Sequence, residues 1–187
     1  DLSALPAVAV DAPSAAFRDD AIGLRPRAAT GRKIMGADNK WELLVHIADV
    51  TAIYTTGADD DGTLNQEERE AAEILRTAAE RRGASQYNTP IGPLHLLPPV
   101  LLSELGLAVQ CPDAPPSTSS AANPCLTVWT YIDESTGKIL DCGLERTAVA
   151  PPVALSFSEA ASLLSAPPCR TGSRAGSTLA VAWRLLR

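Results

Sequence analysis

Asp11, Asp19 and Asp20 lie in one short stretch, Asp11-Ala12-Pro13-Ser14-Ala15-Ala16-Phe17-Arg18-Asp19-Asp20, between two apolar segments. Carboxylates this close repel one another unless a cation offsets the charge. Magnesium suits such a group, because it takes oxygen ligands and often pairs one or two carboxylates with substrate phosphate. A centre of that kind activates water and stabilises an in-line phosphoryl displacement. The same residues also fit a solvated acidic turn, since aspartate, serine and proline are ordinary turn formers. Spacing alone leaves both readings open.

Other groups with chemical potential are fewer. His46 sits inside an apolar segment, where a hydrogen-bonded structural histidine is the expectation. Asp49 follows it and is expected to be a buried acid that orders nearby loops. Arg25, Arg27, Arg32 and Lys33 form the one basic cluster, fit either for phosphate contact or for a solvated hairpin tip. Gly57 to Glu68 places Asp59, Asp61, Gly62, Leu64, Asn65 and Glu68 as in a calcium-binding EF-hand loop. Its first ligand position holds Gly57, however, and the preceding segment reads as strand where an EF-hand needs a helix. An acidic insertion in a turn explains it better. Cys111, Cys125, Cys142 and Cys169 show no paired short spacing, so reduced thiols are expected rather than zinc ligands.

These residues need elements to position them. Leu5 to Val10 reads as a buried strand, and Ala21 to Leu24 as the start of another. Trp41 to Val50 is apolar and β-branched, a central strand. Between Asn65 and Arg82 the pattern turns helical, with acids early and Arg81 and Arg82 late, complementing the helix dipole. Gly83 is positioned to stop it. Leu94 to Leu107 is apolar but broken by Pro98 and Pro99. Leu126 to Ile132 and Ile139 to Leu144 read as a hairpin around Gly137. Ser156 to Leu164 reads as a short helix with Ser156 and Glu159 in a capping box. Residues 110–124 and 167–177 read as flexible loops, and Thr178 to Arg187 as a helix start. The fold class expected is α+β: a mixed, largely antiparallel sheet with flanking helices.

Composition bounds the rest. The 187 residues suit one domain or a large piece of one, and 45% are hydrophobic, enough for a core. No apolar run is long enough to span a membrane. The formal net charge is -6, which does not advertise nucleic-acid binding. No basic, apolar leader opens the chain, so an intracellular compartment, cytoplasm or organelle, is the expectation.

Several blocks together resemble the RNB catalytic domain of RNase II and RNase R-type exoribonucleases. Val10-Asp11 followed by Asp19-Asp20-Ala21-Ile22 is similar to the family's opening aspartate and its Asp-x-Asp-Asp-Ala cluster. Val45-His46-Ile47-Ala48-Asp49-Val50 resembles its Val-His-Ile-Ala-Asp strand. Arg82-Gly83-Ala84-Ser85-Gln86-Tyr87 resembles Arg-Gly-Thr-Ser-x-Tyr. Leu97-Pro98-Pro99 with Leu102-Ser103-Glu104-Leu105, then Thr127-Val128-Trp129 through Gly137-Lys138-Ile139 and Glu145-Arg146-Thr147, follow in family order. The resemblance spans nearly all of residues 1–187 and about the first half of a full domain.

It implies a 3′-to-5′ exoribonuclease that hydrolyses single-stranded RNA, with Asp11, Asp19 and Asp20 as catalytic residues holding Mg2+. Tyr87 would grip the terminal nucleotide by stacking on a base. No DNA or membrane partner is implied, and the family's flanking RNA-binding domains and later catalytic arginine are not among these residues. One departure stands out: the family has a further acid where this chain has Phe17. That replacement, with Arg18 beside it, implies weaker magnesium binding. It supports an alternative, a catalytically degenerate or truncated RNB-fold protein serving as an RNA-binding or scaffold subunit.

Overall fold

The computed structural model describes residues 1–13, 15, 18–26, 41–54, 65–86, 88–98, 122–133, 136–165, 178 and 182. The chain forms two compact units, Asp1–Ala48 with Leu107–Arg187, and Asp49–Gly106.

The first unit is a six-stranded sheet in the order β5-β4-β3-β2-β1-β6. Its strands are β1 (Ala7–Asp11), β2 (Asp20–Pro26), β3 (Trp41–Ala48), β4 (Asn123–Ile132), β5 (Ile139–Val149) and β6 (Val153–Ser156). All neighbours are antiparallel except β1 and β6, which run parallel with Val8 on Val153 and Asp11 on Ser156. Helix α2 (Phe157–Ser165) follows β6 directly. The architecture is therefore α+β, with a mixed and largely antiparallel sheet.

Each face of the sheet carries its own core cluster. Strand alternation sends Ala7, Ala9, Ala21, Leu44 and Cys125 to one face. There they pack with Val149 and with Leu2 and Leu5 from the N-terminal segment. That segment is held by the Leu2 amide, which donates to Ala148 O at 2.8 Å. Small residues on β1 and β2 leave the room that the two leucines occupy. Leu24, Leu43 and Ile132 face the other way and pack with Ala182, which is helical and buried.

Local signals explain most element ends. The hairpin between β4 and β5 closes through the Asp133 amide to Lys138 O and the Gly137 amide to Asp133 O, both 2.8 Å, with Gly137 at φ 68°. At α2 the Ser156 Oγ accepts from the Glu159 amide at 3.2 Å. The Glu159 carboxylate accepts in turn from the Ser156 amide at 2.7 Å, completing the capping box.

Several boundaries differ from expectation, among them β5, which continues past Leu144 to Val149. β3 stops at Ala48, and β4 begins at Asn123, inside the segment expected to be loop. Pro124 is tolerated there because the β3 ladder ends at Cys125, so Pro124 owes no amide on that side. Val153 to Ser156, of which the sequence marks only Ser156, as a helix cap, forms a strand against β1. Its four residues carry little pattern of their own.

The second unit holds a 3-10 turn (Val50–Tyr54) and helix α1 (Gln66–Arg82). Asp49 caps the 3-10 turn, accepting from the Thr51 amide at 3.0 Å and the Thr51 hydroxyl at 2.5 Å. On α1, Arg76 reaches both Glu73 and Glu80, pairs across one turn on an exposed face. Gly83 ends the helix at φ 70°, its amide on Ala79 O at 2.9 Å. Most of the EF-hand-like segment, 55–64, lies outside the described residues, as do Arg27, Arg32 and Lys33.

Candidate active site

Asp11 closes β1 and Asp20 opens β2, so the loop between two adjacent strands returns the acids to the same end of the sheet. β1 and β2 pair Ala7 with Gly23 and Val8 with Ile22. Continuing that register toward the loop sets Asp11 level with Asp19. The Asp19 carbonyl accepts from the Ala48 amide at 2.8 Å, tying the segment to β3 as well. Asp11 is half-buried, whereas Asp19 and Asp20 are exposed.

The acids share an electrostatic field. Partial burial raises the Asp20 pKa above its ordinary value, and the charges of Asp19 and then Asp11 raise it further; its own backbone amide offsets part of this. They do not converge on one point. Asp20 is paired with Ile47, and alternation sets it on the opposite face from Ala21 and His46, the face on which Asp11 continues Ala9. Among the described residues no group of three His, Cys, Asp or Glu side chains is gathered to hold a metal ion. The donor chemistry nevertheless fits a hard cation: carboxylate oxygens only, mutually repelling, and open to solvent.

The face that carries Asp11 also carries a buried polar strip, of which the sequence pointed to His46 alone. Arg25 pairs with Glu42, which is fully buried, and with Glu145 at 2.9 Å. Arg25 is thus an interior ion-pair member and not part of an exposed basic tip. The signal was in the alternation: Glu42 falls in step with Leu44 and His46 on β3, all three nearly inaccessible. His46 Nδ1 lies 2.8 Å from Thr127 Oγ1, which lies 2.5 Å from Thr147 Oγ1. Burial first, then the Arg25 charge, lowers the His46 pKa to about 4, with Glu145 opposing. His46 is therefore a neutral, hydrogen-bonded core residue. Gly23 beneath it is required, since a Cβ there would lie 2.6 Å from the imidazole Nε2.

Arg18, beside Phe17, was expected to lower the site's attraction for cations. It is instead buried, and its Nη1 donates to Ala9 O at 2.9 Å and Leu155 O at 2.8 Å. Phe17 and Tyr87 lie outside the described residues. In the second unit, next to Tyr87 in sequence, a groove of about 580 Å³ is walled by Arg81, Arg82, Gln86, Leu94, His95 and Leu97. Gln86 and Leu94 form an isolated antiparallel bridge, and Arg82 donates to His95 O at 2.7 Å.

With this geometry in hand, comparison with family models decides the kinship: the model described as "RNB domain" matches residues 1–176. The chain belongs to the RNB domain family. No curated protein matches it. Among solved structures, the RNB fold seen here is similar to Mycoplasma genitalium RNase R in complex with double-stranded RNA, at 19% identity and TM-score 0.64, over 99% of this chain and 27% of that one. The same RNase R with ribose-methylated single-stranded RNA matches at 18% identity and TM-score 0.64, over 99% and 23%. Yeast Ssd1, a pseudonuclease, matches at 19% identity and TM-score 0.54, over 92% of this chain and 17% of that one. The chain thus spans about a quarter of the RNase R chains it matches, and its RNB fold is shared by a nuclease and a pseudonuclease.

Proposed function

We propose that this chain carries the acidic, metal-dependent part of an RNB-type 3′-to-5′ exoribonuclease acting on single-stranded RNA. The observation that supports it most is the return of Asp11, Asp19 and Asp20 to one end of the β1–β2 pair, close enough that Asp20 feels the other two. Mg2+ held by these three acids would supply a hydroxide-like water and charge neutralisation for phosphodiester hydrolysis. Asp19 and Asp20, both exposed, would be accessible to an incoming strand. Tyr87 would stack on a terminal base, a contact of about 1–3 kcal/mol that tolerates any sequence. Arg81 and His95, in the groove of the second unit, suit phosphate oxygens. The partner is single-stranded RNA in an intracellular setting, cytoplasm or organelle; neither DNA nor membrane is called for. Among the described residues no helix is long and apolar enough to cross a membrane.

A second reading is favoured by Phe17 and by the spread of the three acids: an RNB fold that binds RNA without cutting it. An apolar ring in place of a carboxylate removes one charge from any metal shell, leaving a cation less well held. The test is a 3′-shortening assay on a labelled single strand with Mg2+, comparing the wild type with Phe17→Asp. The nuclease reading expects shortening that Phe17→Asp accelerates. RNA retention by the chain with no shortening in either protein would leave the binding reading in its place.

A further inference from the structure

Arg18 departs most from what its position suggests. A charged side chain in a surface loop keeps its solvation by pointing outward, and burying it is costly unless hydrogen bonds compensate. Here Arg18 is only 6% exposed. Its Nη1 bridges two backbone carbonyls, Ala9 O and Leu155 O, on adjacent parallel strands. Charge-assisted bonds of this kind are the stronger class. The compensation is incomplete, because Arg18 Nε is buried with no hydrogen-bond partner.

The two carbonyls have a meaningful place. Ala9 lies two residues before Asp11, and Leu155 immediately precedes Ser156, the register partner of Asp11. Immediately after Arg18, the Asp19 carbonyl is held by the Ala48 amide, and Asp20 enters β2 opposite Ile47. The acidic segment is therefore fastened on two sides, to β3 through its backbone and to the β1–β6 seam through Arg18. Nothing else described in the loop between Asp11 and Asp19 reaches that seam with a side-chain hydrogen bond.

We propose that Arg18 is a positioning residue: by clamping Ala9 O and Leu155 O, its guanidinium fixes where the chain presents Asp19 and Asp20 relative to Asp11. The consequence for metal binding rests on the metal-centre reading above, whereas the clamp does not. Arg18 thus serves the acids through the backbone and not by opposing their charge.

The test uses the full chain as wild type, Arg18→Met and Arg18→Lys, with two measurements. Amide hydrogen exchange at Ala48 reports whether Asp19 stays docked, with amides in the middle of β3 as the internal reference. Titration with Mn2+, followed by its paramagnetic resonance signal, reports the acids. In Arg18→Met, exchange at Ala48 should quicken about 10-fold or more while mid-β3 amides hold, and Mn2+ affinity should weaken about 10-fold, as for loss of an outer-shell support. Arg18→Lys, which keeps a donor, should recover part of both. Equal quickening at Ala48 and mid-β3 would mean general destabilisation and overturn the proposal, as would no change at Ala48. Tighter Mn2+ binding would overturn it by making Arg18 a competing charge. If Arg18→Met does not fold, Arg18→Lys decides by the same local-against-uniform comparison. If the wild type binds no Mn2+, the metal reading fails, and exchange at Ala48 still decides the clamp.

Discussion

At Asp20, partial burial and two neighbouring carboxylates all favour the protonated form. A carboxyl whose folded pKa is raised contributes stability at low pH that is lost as pH rises through that pKa. Asp20→Asn should therefore raise the thermal midpoint at about pH 7 in metal-free buffer and make no difference near pH 3, where the unfolded carboxyl is also protonated. Circular dichroism melts at the two pH values check this, and identical melts at both would show that the acids barely sense one another. Saturating Mg2+ should reverse the order at neutral pH, because a ligand bound only by the folded wild type stabilises it. The result connects directly to Phe17. A site already short of one carboxylate has less repulsion to relieve, so its gain from the cation is smaller.

Elements show where sequence was informative and where it fell short. The Ser156 and Glu159 capping box and the Gly83 stop were visible because each acts within a few residues on its own backbone. The acids were visible because the strand–loop–strand pattern brings both ends of the loop together. Arg18, Arg25 and Glu145 were not, since their roles depend on partners 137, 17 and 120 residues away, fixed only by sheet order. β6 was missed because a four-residue strand has no periodicity to read. A long-range contact of the same kind sets a test in the β4–β5 pair, where the Trp129 indole lies across Gly143. A Cβ at 143 would come within 2.7 Å of Trp129 Cε2 and 2.9 Å of its Nε1. Gly143→Ala should cost about 1–3 kcal/mol, the range for overpacking. A lowered urea midpoint with altered tryptophan emission would show it; an unchanged midpoint would mean the ring shifts freely.

Across the whole molecule, the sheet ends on β5, and that edge carries exposed Ile139, Leu140 and Leu144. An edge strand with apolar side chains and open backbone groups invites pairing with another chain. Leu144→Lys should reduce concentration-dependent association in sedimentation experiments while leaving the melt unchanged; unchanged association would clear this edge. The opposite flank has a temporal consequence. Among the described strands β1 comes first in the chain and its parallel neighbour β6 last, and the Arg18 bond to Leu155 spans 137 positions. During synthesis the acidic loop must therefore wait, unclamped at Leu155, until β6 has emerged. Distant pairings of this sort are slow to form. The β3 side of the acidic segment can thus be fastened well before its β6 side, and the Arg18 bond to Leu155 is the later of the two.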